Sequence, residues 1–175
     1  MKRLWLSLLA CLSVTAFATT YRALSLETML SQADLGFYGE VTGVSVEDRS
    51  GEPWTVVTFQ VLENLKGSDL TEGAEDGLSL TFLGGTLPSG ESLSVSLMPQ
   101  FSVGEQVVVL AYERELYSPI VGFRQGLWRD TELGLRDETG RLLSLNEDDE
   151  LTLDGEGGAT EVLLERLKTA LEEAQ

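Results

Sequence analysis

Histidine is absent from this 175-residue chain, and cysteine occurs once, at Cys11. Histidine is the most frequent general base in enzymes and, together with cysteine, the usual zinc ligand. The sequence therefore excludes a Ser-His-Asp arrangement and nearly all zinc sites. It also contains no P-loop, no Rossmann glycine pattern and no G-x-S-x-G elbow, so the common nucleotide-binding and hydrolase motifs are missing as well.

Basic residues are also scarce, with 12 Lys and Arg against 29 Asp and Glu and a formal net charge of −17. Recognition of phosphate groups needs clustered Lys and Arg, so we expect no binding to nucleic acid and none to an anionic membrane surface. Such a charge is typical of a protein that must stay soluble or tolerate cations. The hydrophobic share of 42% is large enough for a folded core and argues against disorder.

Residues 1–18 are predicted to be a secretory signal peptide. Lys2 and Arg3 form a basic start, Leu4–Val14 is an apolar run, and Ala16-Phe17-Ala18 is an A-x-A cleavage site. The apolar run is shorter than the roughly 20 residues that span a bilayer, so no transmembrane segment is expected in the mature chain. The mature protein is predicted to be exported, to the periplasm or outside the cell.

An alternative for the same segment is lipidation at Cys11, because Leu8-Leu9-Ala10-Cys11 resembles a lipobox. This would make the protein a lipoprotein anchored through Cys11. Cleavage after Ala18 instead leaves a mature chain without thiols or disulfides. Such a domain must be stable through its core alone, since no covalent bridges hold it.

The mature chain begins with a predicted helix and continues with a series of strands. Apolar residues at helical spacing over Leu24–Ala33, with Ser25 as a suitable N-cap, predict the helix. Alternating or continuous runs of Val, Leu, Ile and aromatic residues, bounded by Gly, Pro and charged residues, predict the strands. The predicted strands are 35–46, 54–65, 78–83, 93–97, 106–112 and 119–128.

The C-terminal part has a different pattern. Asp137–Gly140 is a turn signal flanked by 132–136 and 141–145, which predicts a hairpin, and 155–158 is glycine-rich, which predicts a linker. Thr160 is predicted to cap a helix that ends at Ala174 and docks on the sheet. The apolar stripe of this helix is Val162, Leu163, Leu167, Ala170 and Leu171. We therefore divide the chain into a β domain (19–130), a hairpin with an acidic linker (131–158) and an amphipathic helix (159–175).

The abundant carboxylates suggest two kinds of chemistry. A glycosidase needs two of them across a sugar cleft, which keeps a carboxylate-based hydrolase as an alternative. The acidic run near 147–156 offers Asp148, Asp149 and Asp154 as weak calcium candidates. That run lacks the D-x-[DN]-x-[DN]-G pattern, so a solvated acidic turn is the preferred interpretation and no metal or cofactor is predicted.

An ordered set of short motifs resembles a group of uncharacterised bacterial exported domains. The motifs are VLENLKG (61–67), the Gly84-Gly85 pair, PQFSVGEQVVVLAY (99–112) and PIVGFRQGLW (119–128). The group is similar to OB-like barrels of the netrin and metalloproteinase-inhibitor kind, and the resemblance covers about 24–129. It implies a mainly β fold: a small OB-like Greek-key barrel with a short N-terminal helix and a C-terminal hairpin plus amphipathic helix. Inhibition through an N-terminal zinc-chelating Cys is not implied, because the mature N-terminus has no Cys.

We expect a non-catalytic role for this exported domain, namely binding a protein or another component of the cell envelope. OB-like barrels bind ligands on one sheet face and its loops, which places the expected contacts near Trp54, Tyr112, Phe123 and Trp128. A structural or stress-related envelope protein without a small ligand is the alternative. Gln125 places an amide in an apolar strand, where holding a bulge or a turn is the preferred interpretation.

Overall fold

The structure, a computed structural model, describes residues 22–67, 77–153 and 155–174. Its described part is mainly β, with helices near both ends. The predicted signal peptide and Cys11 lie outside the described residues, as does Asp154. Neither helix of the described part is long and apolar enough to cross a membrane. The elements are α1 (Leu26–Gln32), β1 (Leu35–Arg49), β2 (Glu52–Lys66), β3 (Leu78–Leu83), β4 (Gly85–Thr86), β5 (Ser92–Leu93), β6 (Gln106–Ala111), β7 (Leu127–Thr131), β8 (Gly134–Asp137), β9 (Ser144–Leu145), β10 (Leu151–Thr152) and α2 (Thr160–Glu173).

Six strands form one antiparallel sheet in the order β3-β2-β1-β6-β7-β8. Its longest pair, β1 and β2, extends beyond the predicted strand ends at residues 46 and 54 and reverses only at Ser50 and Gly51, which both have positive φ. This is the geometry that two-residue hairpin loops require. The Asp48 carboxylate supports the loop by accepting a hydrogen bond from the Gly51 N–H at 2.6 Å.

The two faces of this sheet carry separate hydrophobic cores. The helix-side core contains Val108, Leu110 and Trp128 and is covered by both helices. The loop-side core contains Val107 and Val109 and is packed by the loop residues Met98 and Phe101. Because successive side chains of β6 enter opposite cores, all of 107–111 is buried. The prediction of a central strand here is confirmed.

The sheet is open in the described part of the chain, since no ladder joins its edge strands β3 and β8. The segment 117–121 lies beside the sheet and makes backbone hydrogen bonds both to β3 and to the end of β6. The Leu83 N–H donates to the Tyr117 carbonyl at 2.8 Å, and the Tyr112 N–H donates to the Pro119 carbonyl at 2.8 Å. These bonds connect the end of β3 with the end of β6 without adding a strand between them.

Two predicted strands are much shorter in the structure. The prediction of a strand over 119–128 is wrong for most of its length, because strand β7 begins only at Leu127. The preceding residues form turns in which the Val121 N–H donates to the Leu110 carbonyl and the Gly126 carbonyl accepts from Leu110. The segment 93–97 was predicted as a strand from its alternation, but only Ser92–Leu93 pairs, with β4.

Gln125 has the structural role that the sequence suggested, and it also fixes the N-terminal segment. Its side-chain amide donates to the carbonyls of Gly122 and Arg22, and its Oε1 accepts from the Leu24 N–H at 2.7 Å. Helix α1 follows directly, capped as predicted by Ser25, whose hydroxyl accepts from the Thr28 N–H. The amide therefore positions the start of the described chain against the turn after Ile120.

The C-terminal region is continuous with the sheet. Strands β7 and β8 pair across the boundary predicted at residue 130, so the six-stranded sheet includes residues on both sides of it. The predicted turn at Asp137–Gly140 is present, but its return arm makes a single bridge, Arg136 to Leu142, before β9 pairs with β10. The predicted linker is packed, since the Gly157 N–H donates to the Ser144 hydroxyl at 2.7 Å.

Helix α2 buries a stripe that differs from the predicted one. Leu163, Leu164, Leu167 and Leu171 are buried, whereas Val162 is 52% exposed. The N-cap is Ala159 without a side-chain bond, so the prediction that Thr160 caps the helix is also wrong.

Asp130 links the start of α2 to the sheet. The Thr160 hydroxyl donates to Asp130 Oδ1 at 2.8 Å, and the Tyr38 hydroxyl donates to Asp130 Oδ2 at 2.7 Å. Burial raises the pKa of Tyr38 well above its usual range, and the bond to Asp130 raises it further. A carboxylate at the first turn of a helix is also favoured by the helix dipole. Strands β1 and β7 and helix α2 are therefore held together by one side chain.

Truncation of Leu167 tests whether α2 belongs to the domain core. Leu167→Ala removes a fully buried side chain and is expected to lower the free energy of unfolding by about 2–5 kcal/mol. Val162→Ala, on the exposed side of the same helix, should change it by no more than about 0.5 kcal/mol. Urea unfolding followed by tryptophan fluorescence measures both, and equal small effects would mean that the helix is not docked.

Candidate binding site

A pocket of about 430 Å³ lies between the loop-side face of β1 to β3 and the segment 84–101. Its lining mixes apolar side chains with polar groups such as the Thr55 hydroxyl and the side chain of Gln100. Ligand sites of proteins commonly have this size. The apolar residues that matter below are Val44, Val46, Phe82, Val95, Met98 and Phe101.

The Gly84-Gly85 pair brings the chain across the pocket. Both glycines have positive φ, and a Cβ on Gly85 would lie 2.9 Å from the methyl groups of Val46 and from the Thr55 hydroxyl. A side chain larger than hydrogen would therefore push the segment away from the sheet. The Gly84 N–H bonds to the Pro53 carbonyl at 2.8 Å, and the Thr55 hydroxyl donates to the Gly84 carbonyl at 2.7 Å. These contacts fix one wall of the pocket.

Aromatic rings close the deep end of the pocket. The ring of Phe101 lies 5.6 Å from that of Phe59 and 5.2 Å from that of Phe82, in edge-on and tilted arrangements that aromatic pairs favour. The guanidinium of Arg129 lies 5.8 Å from the Phe101 ring. Phe101 is therefore a rigid part of the lining.

Arg129 holds the turn that carries Phe101. Its guanidinium donates to Glu105 Oε2 at 2.6 Å, to the Gln100 carbonyl at 2.6 Å and to Glu138 Oε1 at 2.8 Å. Glu105 Oε2 also accepts from the Ser102 N–H at 3.0 Å. The PQFSVGE part of the motif 99–112 thus has a structural explanation. Its glutamate, Glu105, joins the turn to strand β7 and so positions the pocket wall.

The four residues predicted to contact a ligand do not meet at this pocket. Trp54 is half-buried, with its ring 6.3 Å from that of Tyr117 and 5.5 Å from the Arg49 guanidinium. Tyr112 packs against the helix-side core, and its hydroxyl donates to Gln32 Oε1 at 2.9 Å. Phe123 has a φ of 70° in the turn region before β7.

Trp128, the fourth of these residues, lies fully buried in the helix-side core. It exposes no surface to a ligand, because helix α2 and the sheet cover its ring. A ligand contact at Trp54, Tyr112, Phe123 or Trp128 stays a prediction.

Sequence reasoning missed the residues that do form the pocket. Val46 and Val95 lie in the predicted strands 35–46 and 93–97, and Met98 lies outside the predicted strands, so none of them was a candidate site residue. The sequence did contain a signal for this loop. The Gly84-Gly85 pair and Pro99 are turn residues that bound the segment, and the apolar Phe101 follows them, which together indicate a loop that folds back on the sheet.

The acidic turn between β9 and β10 is organised by Asn146. The side-chain oxygen of Asn146 accepts from the N–H groups of Asp148 and Glu150, both at 2.9 Å. The Asp149 carboxylate pairs with Arg166 at 3.1 Å. Within the described ranges, no three acidic, His or Cys side chains are close enough together to hold a metal ion. The calcium candidate Asp154 lies outside these ranges.

Asp137 accepts several hydrogen bonds within the turn that follows β8. Its Oδ1 accepts from the Thr139 N–H and hydroxyl and from the Arg141 N–H, each at 2.8 Å, and its Oδ2 accepts from Arg141 Nε at 2.9 Å. Burial by itself raises the pKa of Asp137, but the bonds from Thr139 and Arg141 outweigh it and hold the pKa below its usual value. This carboxylate stabilises the turn in its ionised form.

Comparison with known proteins does not place the chain in a family. No family model matches the sequence, and a search of curated proteins found no significant match. The function must therefore be argued from the structure itself.

Substitution of Gly85 tests the close approach that forms the pocket wall. Gly85→Ala is expected to lower the free energy of unfolding by about 1–3 kcal/mol more than Gly90→Ala, because only Gly85 contacts Val46 and Thr55. Gly90 shares the positive φ but has open space around it, so it isolates the cost of backbone conformation. Equal losses in chemical denaturation would show that the approach imposes no steric constraint.

A pH series tests the role of Asp137. Its folded-state pKa is depressed, so its contribution is present above the unfolded-state pKa and is lost as the pH falls through the folded-state value. Asp137→Asn should lower stability by about 1–3 kcal/mol at neutral pH. The difference from the wild type should shrink steadily between about pH 5 and pH 2. The matched change Asp148→Asn, in the exposed turn, controls for the loss of one surface carboxylate.

Proposed function

We propose that this protein is an exported, non-catalytic binding module that receives apolar side chains of a protein partner in the pocket under segment 84–101. The observation that carries the proposal is the pocket itself, because it combines a group of apolar side chains with a volume of about 430 Å³. Pockets that bind ligands combine apolar side chains with polar groups that set orientation. The Thr55 hydroxyl and the side chains of Ser92 and Gln100 are such groups.

Exposed apolar side chains next to the pocket favour a protein partner over a small molecule. Val44, a lining residue, is 41% exposed. Leu97 and Val103 are 42% and 66% exposed, and in sequence they flank the lining residues Met98 and Phe101. Apolar surface that extends beyond a pocket is typical of an interaction site rather than of an enclosed ligand site.

The fold supports the same proposal. Strand order β3-β2-β1-β6, together with the hydrogen bonds that Tyr117 and Pro119 accept, is compatible with an OB-like barrel in which one segment approaches both β3 and β6. Barrels of this kind bind through one sheet face and its loops. The pocket lies between a sheet face and a loop.

A non-catalytic role is supported by the chemistry of the side chains. The chain has no histidine, which removes the usual general base. A carboxylate that donates a proton near neutral pH needs a raised pKa, whereas the pKa of the buried Asp137 is lowered. The structure therefore favours binding over carboxylate-based hydrolysis.

A neutral apolar dye tests the pocket directly. N-phenyl-1-naphthylamine should bind saturably to the mature chain with enhanced fluorescence. Val95→Phe should weaken this binding by about tenfold or more, because the larger ring fills the pocket. Val162→Phe places the same side chain on the exposed face of α2 and should leave dye binding unchanged.

Competition with short peptides distinguishes a peptide-binding site from nonspecific binding of the dye. An acetylated and amidated Leu-Val-Phe peptide should displace the dye, and the matching Ser-Thr-Ser peptide should not. Circular dichroism confirms that each variant is folded. Absence of saturable dye binding, or equal binding by the wild type and Val95→Phe, would refute the proposed site.

A further inference from the structure

A second concave surface lies on the opposite, helix-covered side of the sheet. It is an open groove of about 1,010 Å³ between α1, the C-terminal half of α2 and the turn that joins β9 to β10. We call this surface the helix groove. Its floor belongs to the helix-side core, whereas the pocket under segment 84–101 belongs to the loop-side core. The two surfaces are therefore separate.

The floor of the helix groove is apolar and incompletely covered. Leu30 is buried, and Leu26, Leu151, Ala170 and Ala174 are half-buried against the helix-side core. These side chains come from all three elements that line the groove. A ligand with an apolar face would remove this remaining surface from water.

The walls of the helix groove are acidic. Five carboxylate side chains line it, and one basic residue, Arg166, accompanies them. The guanidinium of Arg166 is already engaged, since it donates to the Asp149 carbonyl and pairs with the Asp149 carboxylate at 3.1 Å. The groove therefore presents a strongly negative wall. The carboxylates are those of Glu27, Asp148, Asp149, Glu150 and Glu173.

The arrangement of these charges indicates an elongated ligand. In the described residues, no three carboxylates converge closely enough to hold a metal ion. Glu27 is on α1, Glu173 is at the end of α2, and Asp148 is on the turn, so the charges border the groove from different sides. A chain with cations on both sides of an apolar stripe complements this pattern, whereas a point charge does not.

We propose that the helix groove binds a cationic amphipathic peptide segment of another protein, with its apolar face on the groove floor and its Lys or Arg side chains against the acidic walls. Amphipathic helices commonly bind apolar grooves in this way. A second copy of this chain is disfavoured as the occupant, because two molecules with a net charge of −17 repel each other. The proposal concerns a different surface from the pocket, and either can fail without the other.

Binding of a designed peptide tests the proposal. The probe is a fluorescein-labelled peptide of Lys and Leu, about 15 residues long because shorter helices are marginal in water, with all Leu on one helical face. Fluorescence anisotropy with the mature chain should show saturable binding that weakens between about 0.05 and 0.3 M salt, as expected for exposed charges. A scrambled peptide of the same composition should bind at least about tenfold more weakly, because it lacks a continuous apolar face.

Charge reversal locates the site. The double variant Asp148→Lys with Glu173→Lys should weaken binding by about tenfold or more, because two attractions become repulsions. The control Glu52→Lys with Glu115→Lys changes the net charge equally at exposed positions outside the groove and should stay within about twofold of the wild type. Equal losses in both variants, or equal binding of both peptides, would show nonspecific attraction and overturn the proposal, as would the absence of binding.

Discussion

Burial of strand β6 on both of its faces is the constraint on which the rest of the structure depends. Val107 and Val109 need cover on one side of the sheet, while Val108 and Leu110 need it on the other. Helices α1 and α2 provide the second cover, and the segment 84–101 helps to provide the first. A half-buried sheet would leave one face in water. Here both faces of the sheet must be covered. The segment 84–101 forms the pocket where it meets the sheet, and the two helices border the helix groove.

Residues of the sequence motifs 99–112 and 119–128, together with Arg129, serve this architecture. Glu105 and Arg129 fix the turn that bears Phe101, and Gln125 ties Leu24 to the turn before β7. Polar groups in such positions are normally satisfied by structural bonds, as these are. The motifs therefore explain how the two covers are attached to the sheet, and the candidate binding surfaces lie beside them.

Much of the fold could be predicted because its signals are local. The continuous apolar run at 106–112 marked β6, and the helical spacing after Ser25 marked α1. The failures involve distant partners. Val162 fits a helical stripe as well as Leu164 does, and only the direction from which the sheet approaches α2 decides which is buried. Likewise, the pocket exists because Gly85 touches Val46 on another strand, a contact that no local pattern contains.

The negative charge of the chain affects how its exposed apolar side chains interact with other molecules. Val44, Leu97 and Val103 expose apolar surface near the pocket, which in a neutral protein would favour self-association. A net charge of −17 opposes the approach of a second copy at long range, while short-range apolar contacts with a neutral or basic partner remain favourable. The same field attracts cations toward the helix groove. At both proposed binding surfaces charge would therefore select among partners, although none of the pocket's lining residues is charged.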